Sequence, residues 1–331
     1  MTGAAAWPPG NRLYLLPFDH RGSFKKELFG LSGGQEPDPG QRARISDLKT
    51  LIYEGLEEAL AGGAPRASAG VLVDEEFGTT VARLARAAGL TLAMPVERSG
   101  QEEFDLEYGD DFARHIEDFD PDFVKVLVRY NPEGDAAGNA RQATRLASLS
   151  DWLRQRGRAL LFELLVPPTK TQLAWAGGDV AAYEHKVLPG LVLAAMAALQ
   201  EARVEPAIWK IQGLDDQASC ERAVTRARAG GRDGVVCIVL GHRADDARVR
   251  HWLSEAAGVD GYVGFAVGRT VWFDALADHV AGRCDWGSAR TRIAGKYQEM
   301  IDVYEPAAAP GPGRPAASPR AGQAWGEEGR A

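Results

Sequence analysis

Eight short apolar runs punctuate the chain, at 13–19, 70–74, 91–97, 123–129, 159–165, 207–211, 234–240 and 261–267. Each is followed by a longer stretch in which apolar residues return every three or four positions, the helical period. The clearest of these lie at 45–61, 79–88, 138–155, 180–202, 217–229 and 245–256. Runs such as GVVCIVL, AIWKI and GVLV are apolar almost throughout. That fits parallel strands buried on both faces. Eight strand–helix units over 12–305, on the order of 37 residues each, predict an α/β chain folded as a single-domain TIM barrel, (β/α)8. A doubly wound sheet with extra strands stays open as the competing topology. No fixed-period repeat is present. Residues 1–11 read as a flexible leader. Residues 306–331, rich in Pro, Gly and Ala, cannot bury enough apolar surface to order themselves and read as a disordered tail.

Composition narrows the partners. The 38 Lys and Arg against 46 Asp and Glu leave a net charge of −8. Nucleic acid and anionic membrane both require basic surfaces and are not expected. A small anionic ligand remains compatible, since a few focused cations suffice. The longest apolar stretch, 187–199, contains Pro189 and Gly190 and falls short of the ~20 residues of a membrane span. The N-terminus lacks the pattern of a signal peptide. Three cysteines without metal-ligand spacing fit a reduced, cytoplasmic protein. The six histidines are scattered with no HExxH, so neither a catalytic metal nor a cofactor is expected. A hard-cation site from Asp19, Asp74 and Glu75 stays open as an alternative. The oligomeric state is open, and a homo-oligomer is compatible with the reading.

In such a barrel the C-terminal ends of the strands carry the chemistry. The ends here hold Asp19-His20-Arg21, Asp74-Glu75-Glu76, Glu97-Arg98, Lys125 with Arg129, Glu163, Lys210 with Gln212, Gly241-His242, and Gly268-Arg269. Lys210 is the most informative. Alternation puts Ile208, Lys210 and Gln212 on one face of their strand and Trp209 and Ile211 on the other. The bulky Trp209 face suits the helix layer, which turns Lys210 into the barrel. An ammonium there is costly unless paired or functional. Burial and nearby cations free an amine's lone pair for carbonyl chemistry. Lys125 repeats the pattern within FVKVLVR, and Glu163 is a carboxylate inside an apolar run. The plain alternative is a buried ion-pair network that only fixes register. The glycine-containing turns at Gly241-His242 and Gly268-Arg269 follow strands 7 and 8, where barrels often hold phosphate. Ordinary strand-to-helix turns would read the same way.

Taken together, LLPFDHRGSF, LVDEEFG, RSGQEEFDLEYG, FVKVLVRYNPEGD, FELLVPPTK, WKIQGL and FAVGRTVW resemble the barrel domain fused behind 5-dehydro-2-deoxygluconokinase in bacterial myo-inositol pathways. That domain is similar to the class I tagatose 1,6-bisphosphate and sulfofructose-phosphate aldolases. The resemblance covers roughly 12–305 in order and implies the aldolase-like domain standing alone. It implies that Lys210 is the Schiff-base lysine, Lys125 the accessory lysine, Glu163 the acid/base and Asp19 an acidic group at the end of strand 1. It implies further that Gly268 and Arg269, in GRTVW, hold phosphate, while Gly241 and His242, the other substrate-binding candidates, stand where the tagatose enzymes carry a phosphate loop. Arg21 and Arg129 are suited to a substrate carboxylate. Two departures stand out: Gln212 replaces the family's more frequent Glu, and Gly241-His242 replaces a serine-containing loop. The implied reaction is cleavage of a ketose phosphate, foremost 2-deoxy-5-keto-D-gluconate 6-phosphate, to dihydroxyacetone phosphate and malonate semialdehyde. A barrel isomerase that forms no imine, and a non-catalytic phosphosugar-binding module, remain open.

Overall fold

A computed structural model describes residues 7–8, 10–31, 35–242 and 244–308. Eight strands close into one all-parallel barrel in sequence order. They are β1 (Leu13–Pro17), β2 (Ala69–Leu72), β3 (Thr91–Pro95), β4 (Phe123–Arg129), β5 (Ala159–Leu165), β6 (Ile208–Gln212), β7 (Val236–Leu240) and β8 (Tyr262–Ala266). The last strand pairs with the first, Leu13 opposite Gly264 and Leu15 opposite Ala266. The fold is therefore a (β/α)8 barrel, and the doubly wound alternative is excluded.

Glycine permits that closure at two points. Gly264 has a φ of +152°, and a Cβ there would lie 2.0 Å from the Leu13 carbonyl oxygen. It stands where the β7–β8 register shifts, so it absorbs the irregularity of the last strand. At Gly268 a Cβ would meet the Pro17 oxygen at 2.2 Å. The Trp272 indole N–H donates to that same oxygen at 3.0 Å. Two residues of GRTVW thus seal the loop after β8 against the end of β1.

The helices pack their apolar faces around the sheet. The helix Pro39–Ala61 starts well before the periodic stretch at 45, because Asp38 and Gln41 form a reciprocal cap with Pro39 in the first turn. The stretch 180–202 is two helices, Val180–Lys186 and Leu188–Glu201, parted just before Pro189. Proline lacks the N–H that a continuous helix would need and fits the first turn of a new one. Only part of the acidic segment 102–120 is helical. The helix covers Phe112–Phe119, while Glu97 and Leu106 form an isolated antiparallel bridge.

At the N-terminal end, Leu13, Leu15, Leu72, Phe123, Leu161 and Ile208 fill the lumen. Trp7, within the expected leader, packs on this plug with its ring centroid 6.3 Å from that of Phe123. The last helix runs Trp286–Ala308, past the boundary expected at 305. Residues 1–6 of the leader and 309–331 of the tail lie outside the described residues. No described helix is long and apolar enough to cross a membrane.

Candidate active site

Above the apolar plug the inward positions change character. On β4 the lumen side passes from Phe123 to Lys125, on β5 from Leu161 to Glu163, and on β6 from Ile208 to Lys210. Trp209 points the other way, its ring 4.9 Å from that of Phe162 in the helix-facing core. Glu163 and Lys210 are register partners across β5 and β6. The period of two therefore delivers three charged side chains to one level of the barrel.

They meet there. Lys125 Nζ donates to Asp19 Oδ2 at 2.8 Å and to Glu97 Oε1 at 2.8 Å. It lies 3.0 Å from Glu163 Oε2. Lys210 Nζ donates to that same Glu163 oxygen at 2.9 Å. Lys125 and Lys210 are 1% and 2% exposed. Among the described residues Lys125 thus touches three carboxylates, and Lys210 touches one that it must share.

The electrostatics follow from this arrangement. Burial opposes a charged Lys125, but Asp19, Glu163 and Glu97 outweigh it and hold the ammonium well above the ordinary lysine range. Burial would raise Asp19, yet Lys125 beside it, with smaller help from His20 and Lys210, keeps its carboxyl well below the usual range. Glu163 is lowered in the same way, burial being overcome by Lys125 and Lys210. Glu97 goes the other way, because burial outweighs the attraction of Lys125 and Arg21 and its carboxyl is raised. Burial pushes the His20 imidazole down to about 4, so it is neutral at pH 7.

An acid-stability prediction follows for Asp19 and Glu163. A carboxyl with a depressed folded pKa stabilises the fold above its unfolded value, about 4, and loses that contribution as pH falls toward the folded value. Melting temperature should therefore decline below about pH 4, and Asp19→Asn should flatten that decline. Superimposable acid limbs for the two proteins would show that Asp19 carries no such linkage.

Glu97 and Lys49 belong to the site although the sequence singles out neither. Glu97 extends the inward series of Ala93 and Pro95, and its Oε2 is a buried atom without a hydrogen-bond partner. Lys49 reaches from the helix Pro39–Ala61 to the Phe18 carbonyl at 2.8 Å, the His20 carbonyl at 3.2 Å and the Asp74 carboxylate. Those two carbonyls flank Asp19, so Lys49 fixes the backbone that carries it. Asp74 also caps the helix Glu75–Ala87 through Phe77 N–H. The signal for Lys49 is a charge beside Ile45, Leu48 and Ile52 on a buried helix stripe. With Asp19 on Lys125, Asp74 on Lys49 and Glu75 on His115, the hard-cation alternative has no assembled ligand set. Among the described residues no group of three His, Cys, Asp or Glu is arranged to hold a metal.

Residues 5–308 match the model of a family described as "Uncharacterized protein conserved in bacteria (DUF2090)". The chain belongs to the DUF2090 family. No curated protein matches it.

In this DUF2090 barrel the expected anion-binding residues ring the mouth and are mostly engaged with one another. Arg21 is buried, with one terminal nitrogen 2.9 Å from Glu107 Oε2 and the other 2.6 Å from the Glu97 carbonyl. Arg129 donates to the Gln101 carbonyl at 2.8 Å. Arg269 opens the helix Arg269–Val280 and grips both carboxylate oxygens of Glu27, one at 2.8 Å. Its guanidinium also lies 4.9 Å from the Phe273 ring centroid. The Gly241 carbonyl accepts the Ala244 N–H at 3.0 Å, and His242 follows at a φ of +33°. Lys125, Glu163, Asp19 and Lys210 are thus brought together directly, while Arg21, Arg129 and Arg269 stand around them with carboxylate or carbonyl partners. Among the described residues, five of the nine buried polar side-chain atoms without partners lie at this end: His20 Nδ1, Arg21 Nε, Glu97 Oε2, Gln101 Oε1 and Gln212 Nε2. Buried groups of this kind are normally satisfied, and exceptions concentrate where a ligand completes them.

Proposed function

We propose that this DUF2090 chain is a cytoplasmic class I aldolase that cleaves a phosphorylated ketose through a Schiff base on Lys210. One observation carries the reading: a buried lumen lysine with a single shared carboxylate stands beside a second lysine whose charge is saturated by three. The saturated cation is held as an ammonium by its three carboxylates. Lys210, with its one shared carboxylate, is left as the amine assigned to the carbonyl.

The roles divide accordingly. The Lys210 amine adds to the ketone carbon, and loss of water leaves an iminium. Cleavage of the adjacent carbon–carbon bond moves its electron pair onto the iminium and forms an enamine. Glu163 or Asp19 takes the proton of the β-hydroxyl as the aldehyde leaves. Protonation of the enamine and addition of water return the ketone and the free amine. Lys125 stabilises oxyanion charge during addition and loss of the hydroxyl. Glu97 supports Lys125 from the opposite side. Arg269, with the turns at Gly241-His242 and Gly268, is assigned to the phosphate, and the Arg21 and Arg129 edge to a carboxylate.

The ordered resemblance across 12–305 favours 2-deoxy-5-keto-D-gluconate 6-phosphate, giving dihydroxyacetone phosphate and malonate semialdehyde. The test is a comparison of kcat/KM with tagatose 1,6-bisphosphate and sulfofructose phosphate. The deoxyketogluconate phosphate should be the best substrate. A better rate on either rival would overturn the substrate, and no cleavage of any of the three would overturn the enzyme assignment. Because the imine is the electron sink, turnover should also persist in EDTA. Loss restored by a divalent cation would replace the imine mechanism by a metal-dependent one.

A further inference from the structure

We propose that Glu97 is a further catalytic residue, its Oε2 carrying the proton to and from the enamine carbon that bonds to the aldehyde. This assignment rests on the Lys210 imine reading and deepens it, since that reading leaves the enamine's proton without a carrier. Glu97 is 5% exposed, and its two oxygens differ. Oε1 accepts from Lys125 Nζ at 2.8 Å and lies 4.0 Å from the Arg21 guanidinium. Oε2 is buried and has no hydrogen-bond partner among the described residues. A buried acceptor without a donor is unfavourable, which leaves this oxygen open to a proton or a ligand. Two contacts join the carboxyl to the imine position. Lys125 Nζ also lies 3.0 Å from Glu163 Oε2, and that oxygen accepts from Lys210 Nζ at 2.9 Å.

Basicity separates Glu97 from the other two carboxylates on Lys125. The charged groups facing it are Lys125 on β4 and Arg21 and Asp19 beyond β1. Burial, with a smaller contribution from Asp19, outweighs Lys125 and Arg21 and raises its carboxyl. In Asp19 and Glu163 burial is overcome, chiefly by Lys125, and both carboxyls are lowered. A hydrogen on carbon is a weak acid and calls for the strongest base of the set, and an acid–base group works best with its pKa shifted toward the working pH. In enamine formation the C–H bond next to the iminium breaks. Its electron pair forms the enamine double bond as the C=N pair returns to nitrogen, and the proton goes to Oε2. In cleavage the step runs backwards: Glu97 takes up a solvent proton as the aldehyde leaves and gives it to the enamine carbon. Lys125 keeps its charge throughout, because Asp19 and Glu163 hold it more strongly than Glu97 does.

Hydrogen exchange into dihydroxyacetone phosphate in D2O isolates this step, since it needs the enamine and no aldehyde. Loss of the hydroxymethyl proton signal by NMR is compared with borohydride trapping at Lys210 in the wild type and Glu97→Gln. The variant keeps the side chain's shape and should slow exchange roughly a hundred- to ten-thousandfold, the scale of general acid–base catalysis. Its half-saturating ketone concentration for trapping should match that of the wild type. Should the glutamine variant fold poorly, Glu97→Asp withdraws the carboxylate by one carbon and should give the same split to a smaller degree. Undiminished exchange in Glu97→Gln would overturn the proposal. Parallel loss of exchange and trapping would overturn it too, by showing that Glu97 acts through the lysines. So would an adduct without exchange in the wild type. Absence of an adduct in the wild type would instead overturn the imine reading, and this assignment with it.

Discussion

Lys210→Met should lose turnover by several orders of magnitude and keep its fold. The first half follows from the chemistry: methionine has similar length and no amine, so no iminium forms and the bond-breaking electrons have no sink. The second half follows from the geometry. Glu163 is the carboxylate that Lys210 touches, and it retains Lys125 at 3.0 Å when Lys210 is gone. No buried charge is orphaned, so the melting curve should stay close to that of the wild type. A variant that keeps a tenth or more of wild-type kcat would remove Lys210 from the chemistry.

Lys125→Met, by contrast, should unfold the barrel more easily. Asp19, Glu97 and Glu163 all lean on this one ammonium. Glu163 would keep Lys210 at 2.9 Å. Among the described residues Glu97 would keep only Arg21, at 4.0 Å. Among them Asp19 would keep only His20, also at 4.0 Å, and burial holds that imidazole neutral at pH 7. Stripping the cation from a buried cluster of this kind costs about 3–5 kcal/mol. The loss should be largest near pH 7 and should shrink toward pH 4, as the orphaned carboxyls take up protons. Denaturant unfolding at the two pH values measures it. Equal losses at both would mean that packing, not charge, explains the defect.

The barrel was legible because its strands are apolar on both faces, and the runs at 123–129 and 159–165 coincide with β4 and β5. The runs ending at 19, 74 and 97 outlast β1, β2 and β3 by two residues, since those last residues leave the ladder while continuing the chain direction. The inward turn of Lys125, Glu163 and Lys210 was legible for the same reason, alternation around a bulky Trp209. What the sequence could not show was who partners whom. Arg269 meets Glu27, Arg21 meets Glu107, and Lys49 meets Asp74, each pair joined by closure of the barrel and by loops rather than by local spacing. Glu97 therefore looked like one more strand-end charge, and Arg21 looked free to bind a ligand. Helix starts were hidden where the first turn is polar, as at Asp38, because a cap is a hydrogen-bonding pattern and leaves no apolar period.

The covalent bond between Lys210 and the ketone is the step on which every other assigned role depends. Protein reduced with borohydride in the presence of dihydroxyacetone phosphate, then digested and analysed by mass spectrometry, reports its position directly. The expected result is a reduced ketone adduct on Lys210 and none on Lys125. An adduct on Lys125 would reverse the two lysines, and no adduct on either would contradict the Schiff-base mechanism itself.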